Sequence, residues 1–242
     1  MKNLDIVITM AGLGSRFRKA GFKIPKYMIE VKGKTLFEWS MLSLSAFKET
    51  TNQIIFIVMK DQLMDETAFI KKACQKLTID NYHIICIDYL TDGQATTAML
   101  GERYWQPNNG LLIYNIDTYV EPGCMKPSDF HGDGFIPCFV ASGNHWSFAR
   151  ADNNFLVSEV REKERISDFC TIGAYYFKSC QLYKDIYDKY YSNDQKLEKG
   201  EKYIAPLFNE LIDRGHNVYL NVIDSSRVKV LGTPEEVQVF SA

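Results

Sequence analysis

The sequence lacks several features that would assign it to a class at once. No apolar run approaches the roughly 20 residues of a membrane-spanning helix, and the first residues lead directly into a strand pattern instead of a signal peptide. The net charge is only −2, which gives no electrostatic basis for binding nucleic acid or an anionic membrane. We therefore expect neither a membrane nor a nucleic-acid partner.

Cysteine occurs without a pattern that would give it a role. No CxxC pair and no pair of histidines at zinc spacing is present, and the six cysteines lie far apart. Several fall within apolar runs, where a buried free thiol is the expected state. A reducing cytoplasm is the simplest setting, and 242 residues allow a core that is stable without disulfides.

Repeats and low-complexity segments are also absent, and strand patterns alternate with helix patterns in the first half of the chain. The predicted strands are residues 4–9, 53–58, 82–87 and 111–117, and the predicted helices are 36–47, 61–77 and a segment from Thr91 toward Tyr104. This alternation predicts an α/β fold with a mostly parallel central sheet and helices on both faces.

The pattern changes to short strands after Gly132. Strands are predicted over residues 135–140, 147–150, 155–160 and 172–177, with a tight turn over 151–154. The remainder is predicted as a helix over 178–191, a polar loop over 192–201, a helix over 203–214, strands over 218–223 and 228–231, and a final helix with Pro234 in its first turn.

Two glycines and two cations follow the first predicted strand. The segment starts with Ala11-Gly12-Leu13-Gly14-Ser15, continues with Arg16 and reaches Lys26 directly after Pro25. Glycines at a strand end let the backbone turn sharply and bring its N–H groups close to a phosphate. Nearby cations neutralise charge that develops on phosphoryl oxygens. The segment is therefore predicted to bind the phosphates of a nucleotide.

Two common phosphate-binding motifs do not fit this segment. Phe17 stands where the third glycine of a GxGxxG dinucleotide motif would be, and the second predicted strand ends without an acidic residue placed for a ribose. No GK[ST] sequence follows at the spacing of a Walker loop. The spacing of Gly12, Gly14, Arg16 and Lys26 needs another explanation.

The strand, Gly12-x-Gly14-x-Arg16, Pro25-Lys26 and Glu30-Val31-x-Gly33-Lys34 together resemble the N-terminal motif of nucleotidyltransferases that activate sugar phosphates and related metabolites. The similarity spans nearly the whole chain. It implies a single Rossmann-like (GT-A-type) nucleotidyltransferase domain over residues 1–242. Residues 1–131 would bind the nucleotide, and 132–242 would form an antiparallel acceptor-binding extension with closing strands and a last helix. The resemblance also allows a homodimer.

The resemblance implies a second nucleotide-binding stretch after the third strand. The segment from Thr91 to Thr97 contains a GxA-type turn that, in the family, lies against the base and ribose; on the residues alone it is equally a capped helix start. Thr91 and Gln94 have donors and acceptors that can read a base edge. The predicted nucleotide contacts are Ala11, Gly12, Leu13, Gly14, Ser15, Thr91, Gly93, Gln94 and Ala95.

Asp117 is the predicted metal ligand. A lone aspartate after a strand is commonly a turn residue or helix cap, but a strand that ends in NxD-Thr resembles the family's Mg²⁺ site. Many relatives carry a second metal-binding aspartate two residues before the terminal Gly-Thr, and this chain has Val230 there. Asp224, six residues earlier, is the remaining candidate for a second ligand.

Glu162 and Lys163, followed by Gly173-x-Tyr175-x-Phe177, match the family's EK…GxYxF acceptor-binding pattern. Without that later segment, two charged residues after a strand most often form a solvated turn. The resemblance implies that Glu162, Lys163 and Gly173 contact the acceptor.

The expected reaction transfers a nucleotidyl group from a nucleoside triphosphate to a phosphorylated small molecule, with Mg²⁺ present. Lys26 and Arg16 are the predicted catalytic residues. Small relatives are frequently cytidylyltransferases for phosphocholine or, in capsule phosphoramidate synthesis, phosphoglutamine, and the whole-sequence similarity favours that last type with CTP. A uridylyl- or thymidylyltransferase for a hexose 1-phosphate is the alternative within the class.

Two alternatives of other classes stay open. A GT-A glycosyltransferase would need an acidic DxD pair, and Asn115 occupies its first position here. That alternative also leaves Arg16 and the Pro25-Lys26 pair without a role. A non-catalytic binding relative would have no need for both cations and Asp117.

Overall fold

The computed structural model describes residues 3–61, 63–192, 197–198 and 200–242. Its strands are β1 (Leu4–Met10), β2 (Glu30–Val31), β3 (Lys34–Thr35), β4 (Thr51–Met59), β5 (Tyr82–Ile87), β6 (Gly110–Asn115), β7 (Thr118–Val120), β8 (Gly134–Val140), β9 (Ser147–Ala151), β10 (Val157–Glu162), β11 (Phe169–Thr171), β12 (Ala174–Phe177), β13 (Val218–Val222) and β14 (Val228–Val230). Its α-helices are α1 (Ser15–Lys19), α2 (Leu36–Leu42), α3 (Glu66–Leu77), α4 (Gln94–Met99), α5 (Cys180–Tyr190), α6 (Leu207–Asp213) and α7 (Pro234–Ser241). Within these ranges, no helix is both long enough and apolar enough to cross a membrane.

One sheet runs through both halves of the chain. Its strand order is β10-β9-β11-β8-β12-β6-β1-β4-β5, and β13 also pairs with β8. Strands β6, β1, β4 and β5 are parallel, whereas β12 pairs antiparallel with β6 and opens an antiparallel region. The predicted α/β fold with an antiparallel extension is confirmed. The functional division between residues 131 and 132 stays a prediction.

Strand β1 lies at the centre of the parallel region, and this position explains its composition. Val7 packs on one face of the sheet, Ile6 and Ile8 pack on the other, and all three are fully buried. Helices α2 and α3 cover the Ile6 face, and α4, α5 and α6 contribute to the Val7 face. A strand buried on both faces needs a continuous β-branched run, which the sequence supplies.

Three predicted helices differ from the observed ones at their ends. The helix predicted from residue 61 begins at Glu66, because the Asp65 carboxylate caps it by accepting the Ala68 N–H at 2.8 Å. The helix predicted from residue 203 begins at Leu207, after a turn in which the N–H groups of Leu207 and Phe208 donate to the carbonyls of Ile204 and Ala205. Helix α2 ends at Leu42, five residues early, and a 3₁₀ turn over Ser45–Phe47 follows it.

Short strands were not predicted, since two or three residues carry too little periodicity. These are β2, β3, β7 and β11. Residues 193–196 and 199 of the predicted polar loop lie outside the described residues. Six free cysteines are present, of which Cys74, Cys138, Cys170 and Cys180 are buried as expected.

A small apolar cluster ties the two ends of the chain together. The cluster is separate from the two faces of the sheet. Its buried side chains include Phe17 of α1, Leu36 of α2, Val237 of α7, and Leu231, which precedes α7. The last helix is thereby fixed beside the glycine loop that follows β1.

Candidate active site

The loop after β1 presents free backbone donors. Gly14 adopts a left-handed conformation (φ +59°) and leads into α1. The N–H groups of Gly12, Leu13 and Gly14 have no hydrogen-bond partner in the part of the chain that the structure describes. Leu13 and Ser15 are exposed, whereas Ala11 is buried at the strand end. Such a row of unpaired N–H groups is suited to bind an anion.

The two predicted cations reach the same region from different elements. Lys26 begins a 3₁₀ turn directly after Pro25, and its Nζ lies 2.6 Å from Asp117 Oδ2. Arg16 is exposed on α1, and its side chain forms no ion pair or hydrogen bond with other described residues. Burial of Asp117 opposes ionisation, but Lys26 and Arg16 outweigh it and lower the pKa of this carboxyl below its ordinary value. Asp117 is therefore ionised at neutral pH.

Asp117 lies in the turn between β6 and β7, two residues beyond the observed strand end. Its backbone carbonyl accepts the Leu231 N–H at 2.8 Å, and the carbonyl of Ile116 accepts the Ser40 hydroxyl at 2.8 Å. These bonds fix the turn at the carboxyl edge of the parallel strands. Asp117 therefore lies at the same edge as the Gly12 loop, as the sequence predicted.

Two cavities meet at Asp117. The loop cavity has a volume of about 540 Å³ and is lined by the glycine loop, Lys26 and the segment from Leu90 to Gln94. The inner cavity has a volume of about 380 Å³ and is lined by Arg16, Glu162, Lys163 and other residues of the second half. Gln94, Asn115 and Asp117 line both cavities. A group bound in one cavity therefore approaches a group bound in the other at these three side chains.

Gln94 is held by a small polar network. Its amide nitrogen donates to Thr9 Oγ1 at 2.9 Å and to Asn115 Oδ1, while its carbonyl oxygen accepts no hydrogen bond from other described residues. The Thr91 hydroxyl is engaged locally, with the Gly93 carbonyl at 3.1 Å and the Thr97 hydroxyl at 2.6 Å. Gln94 thus keeps a free acceptor, whereas Thr91 is largely occupied.

Gly93 and Ala95, two of the predicted nucleotide contacts, both take part in packing; Gly93 also lines the loop cavity, whereas Ala95 lines neither cavity. A Cβ on Gly93 would lie 2.3 Å from the Lys202 carbonyl oxygen, so only glycine permits this approach. Ala95 is fully buried; its N–H donates to the Lys202 carbonyl at 3.0 Å, and its own carbonyl accepts the Tyr183 hydroxyl at 2.8 Å. Ala95 has no exposed atom for a nucleotide, because small residues here let α4 pack closely.

The predicted acceptor residues form one wall of the inner cavity. Glu162 ends β10, and Lys163 follows in a left-handed conformation (φ +56°) that is rare outside glycine. Lys163 Nζ lies 2.6 Å from the Tyr203 hydroxyl and 3.5 Å from Glu162 Oε1, and the Ser147 hydroxyl donates to Glu162. This network holds both charged groups at the cavity surface.

The pKa values of both charged groups on this wall are raised above their ordinary values. Burial raises the pKa of Glu162, although Ser147 and Lys163 oppose it. Burial would lower the pKa of Lys163, but the Tyr203 hydroxyl and the Glu162 carboxylate outweigh it and raise the pKa. Gly173 (φ +79°) also lines the cavity, and a Cβ there would lie 2.3 Å from Asn115 Nδ2. Glycine at position 173 thus leaves room for the Asn115 side chain.

Asp224 is not brought to the site. Its side chain is exposed, and its Oδ1 accepts the Ser226 N–H at 2.9 Å and the Ser226 hydroxyl at 2.7 Å. This local turn caps the 3₁₀ segment Ser225–Arg227, and Asp224 lines neither cavity. The prediction that Asp224 is a second metal ligand is therefore corrected, because Ser226 in the Asp-x-Ser sequence supplies the hydrogen bonds of this carboxylate locally.

Several residues of the inner cavity were missed from the sequence: His145, Trp146, Tyr203 and Glu236. Tyr203 was assigned to a helix, and no spacing rule connects it to Lys163, forty positions away. Glu236 carried a signal only as part of a helix start. Within the described ranges, no three His, Cys, Asp or Glu side chains converge on one point as a metal cluster would.

No family model and no curated protein matches the sequence. Solved structures do match. A nucleoside-diphosphate-sugar pyrophosphorylase from Vibrio cholerae RC9 is 36% identical, with a TM-score of 0.89 and coverage of 98% of this chain and 99% of that one.

Two more distant structures share the fold. The inositol-1-phosphate CTP transferase from T. maritima is 14% identical, with a TM-score of 0.75 over 96% of this chain and 90% of that one. The CTP:phosphocholine cytidylyltransferase from Streptococcus pneumoniae is 17% identical, with a TM-score of 0.73 over 99% and 98%.

Proposed function

Because this chain belongs to the nucleotidyltransferases that activate sugar phosphates and related metabolites, we propose that it transfers CMP from CTP to a phosphorylated small molecule. The membership rests on 36% identity to the Vibrio cholerae relative over 98% of the chain. The observation that carries the proposal is the Lys26–Asp117 ion pair, at the point where the two cavities meet. The triphosphate would occupy the loop cavity, and the acceptor the inner cavity.

The bond changes follow from these positions. A phosphate oxygen of the acceptor attacks the α-phosphorus of CTP in line, and the bond from that phosphorus to the β-bridging oxygen breaks. The product is a CDP-linked metabolite, and pyrophosphate leaves. An acceptor phosphate is already ionised at neutral pH, so no general base is needed. The chain's main task is to bring two anions together and to stabilise the charge that spreads between them.

Each cation has a defined task in this proposal. The free N–H groups of Gly12, Leu13 and Gly14 would hold the departing pyrophosphate, and Arg16 would contact it from the inner cavity, which its side chain lines. Lys26 would contact the α-phosphate and the incoming phosphate, because it lines the loop cavity and its ammonium is paired with Asp117, which borders both cavities. A preorganised cation at that point costs no reorganisation when charge develops.

The residues present fit a magnesium ion. Asp117 is ionised, borders both cavities and is not part of a closed protein cage. Mg²⁺ is typically held by one or two carboxylates together with substrate phosphates. When bound, the ion neutralises charge on the triphosphate oxygens. Asp117 is the carboxylate that would hold it.

The Gln94 network supports CTP as the nucleotide. Thr9 and Asn115 occupy the donors of the Gln94 amide, and its carbonyl oxygen is left to accept. Cytosine offers an amino group at its exocyclic position, whereas uracil and thymine offer an oxygen. An acceptor opposite that position favours cytosine, because a uracil oxygen would leave both groups unpaired.

The Glu162–Lys163 pair supports an acceptor that carries opposite charges. An ammonium group pairs with Glu162, and a carboxylate pairs with Lys163, so a phosphorylated amino acid such as phosphoglutamine complements both. Phosphocholine has an ammonium group but no carboxylate, so of these two residues it would pair only with Glu162. A role in capsule or surface polysaccharide precursor synthesis is part of this proposal.

A second candidate is a uridylyl- or thymidylyltransferase for a hexose 1-phosphate. The name of the Vibrio cholerae relative, a nucleoside-diphosphate-sugar pyrophosphorylase, favours it. Glu162 and Lys163 can equally hydrogen-bond sugar hydroxyls and a sugar phosphate.

A substrate matrix separates these candidates. The protein is incubated with Mg²⁺, each of five nucleoside triphosphates (CTP, UTP, dTTP, ATP and GTP) and a panel of phosphoglutamine, phosphocholine, inositol phosphate and hexose 1-phosphates, with pyrophosphate release as the readout. We expect release with CTP and only when an acceptor is present. Release with UTP or dTTP and a hexose 1-phosphate would establish the second candidate, and release with no pair would contradict both.

A further inference from the structure

Helices α2 and α7 begin with the same Thr-x-x-Glu pattern but use it differently. In α2, Thr35 Oγ1 accepts the Glu38 N–H at 3.2 Å, and Glu38 Oε2 accepts the Thr35 N–H at 2.7 Å, which closes a capping box. In α7, Thr233 Oγ1 accepts the Glu236 N–H at 3.1 Å. The Glu236 carboxylate makes no reciprocal bond within the described chain, and its Oε2 is shielded from solvent without a hydrogen-bond partner.

The unpartnered oxygen lies beside Asp117. A Cβ added to Gly232 would lie 3.6 Å from Glu236 Oε2 and 3.3 Å from Asp117 Oδ2, so both carboxylates border the same small space. Both residues also line the inner cavity. A buried acceptor without a partner is costly, and a neighbouring carboxylate adds repulsion. A cation between the two carboxylates relieves both effects.

We propose that Glu236 is the second carboxylate that holds the divalent cation of this enzyme, opposite Asp117. The inference rests on the proposed function, since that function supplies the cation. Mg²⁺ prefers oxygen ligands, and one or two carboxylates plus phosphates is its usual set. Val230 lines the same cavity but offers no oxygen, and Asp224 is satisfied in its own turn.

The position of Glu236 is fixed by packing. Val237, the next residue, is buried in the cluster that contains Phe17 and Leu231. Thr233 caps the N-terminus of this helix, in the same turn that carries Glu236. Gly232 keeps the space between the carboxylates open, because any side chain there would approach both of them.

Binding of Mn²⁺ alone, followed by the electron paramagnetic resonance signal of the free ion, tests this assignment without nucleotide or turnover. Glu236→Gln keeps the size of the side chain and removes its charge. We expect it to weaken Mn²⁺ binding about tenfold or more, the range typical of disrupting a metal site. The matched control is Glu235→Gln, an exposed residue in the same helical turn, which should bind Mn²⁺ like the wild type. Thermal unfolding without metal should show Glu236→Gln at least as stable as Glu235→Gln, because the substitution removes the repulsion from Asp117.

A rescue variant sharpens the test. Val230→Asp in the Glu236→Gln background places a carboxylate elsewhere on the same cavity wall, and we expect part of the Mn²⁺ affinity to return. Equal Mn²⁺ affinity for the wild type and Glu236→Gln would overturn the inference, as would a wild type that binds no Mn²⁺. Pyrophosphate release tests the proposed function separately, so the two failures are distinguishable.

Discussion

The two walls of the site are built in opposite ways. One side of the loop cavity comes from the continuous segment after β1, which contributes free backbone N–H donors at Gly12 and Leu13, and Lys26 lies close to it. The wall of the inner cavity comes from side chains that lie far apart in sequence, such as Lys163 and Tyr203. Backbone donors bind phosphates of any nucleotide, whereas side-chain networks select one ligand. In the proposed function, the loop wall would therefore supply the general chemistry, and the inner wall would select the acceptor.

Loss of the negative charge of Asp117, which borders both cavities, should lower turnover more than any other change. Asp117→Asn should abolish Mg²⁺-dependent activity, a loss of at least about 10³-fold in turnover, because a carboxylate that borders both cavities is neutralised. The free energy of unfolding without ligand should fall by about 1 kcal/mol at most, since the ion pair with Lys26 is partly exposed. Activity that persists at saturating Mg²⁺ would show that the metal is held elsewhere.

Lys26→Ala tests the cation of the same pair. We expect turnover to fall about 10²–10³-fold with the fold intact, which is the typical cost of one preorganised contact to transition-state charge. Lys71→Ala, an exposed substitution on α3, is the control and should retain wild-type turnover. A Lys26→Ala enzyme with near-wild-type turnover would remove this residue from the mechanism.

Lys163→Met should separate the inner wall from the loop wall. We expect the KM for the acceptor to rise about tenfold or more, because a charge-assisted contact worth 1.5–3 kcal/mol is lost. The affinity for CTP, measured by calorimetry without acceptor, should stay unchanged. Lys178→Met, an exposed cation paired with Asp133, serves as the control. A parallel loss of CTP affinity would contradict the separation of the two walls.

Base choice should give a difference of about tenfold in affinity, within the 1–3 kcal/mol that one mismatched partner costs. With Mg²⁺ present, CTP should raise the melting temperature more than UTP, ATP or GTP at equal concentration. Gln94→Glu keeps an acceptor while removing the amide donors to Thr9 and Asn115, so it should weaken every nucleotide similarly. A larger shift with UTP or dTTP would favour the hexose 1-phosphate candidate, and a larger shift with a purine would contradict a pyrimidine site.

The smallest effect concerns pH. The pKa of Glu162 is raised and that of Asp117 is lowered, so Glu162 is protonated first as the pH falls. As the pH is lowered, the KM for the acceptor should therefore begin to rise at a pH above 4.5, the ordinary glutamate pKa. Asp117 still carries its charge at that pH. Glu162→Gln separates this limb from titration of the substrate phosphates, because only the Glu162 contribution should disappear. An unchanged profile in Glu162→Gln would show that the ionised carboxylate does not contact the acceptor.

The same contrast explains how much could be predicted from sequence. The first strand, the glycine loop and Asp117 could each be predicted from a short continuous stretch of sequence. The structure places them at one edge of the sheet. The sequence could not separate a nucleotide contact from packing at the buried Ala95, because a small residue that permits close approach to a ligand also permits close helix packing.

Other parts of the site depend on tertiary structure alone. The direction that the Glu236 carboxylate takes is decided by packing around Gly232, and the identical pattern at Thr35 gives a closed capping box instead. Tyr203 reaches Lys163 only after α6 is placed against β10. No periodicity in the chain contains this information.

The most direct test of nucleotidyl transfer follows two labels of CTP. The protein, Mg²⁺ and the acceptor found in the substrate matrix are incubated with CTP labelled at the α- or the γ-phosphorus. The account predicts that the α-label appears in the acceptor adduct and the γ-label in pyrophosphate, in equal amounts. A γ-label in the acceptor, or an α-label released only as CMP or CDP, would contradict it.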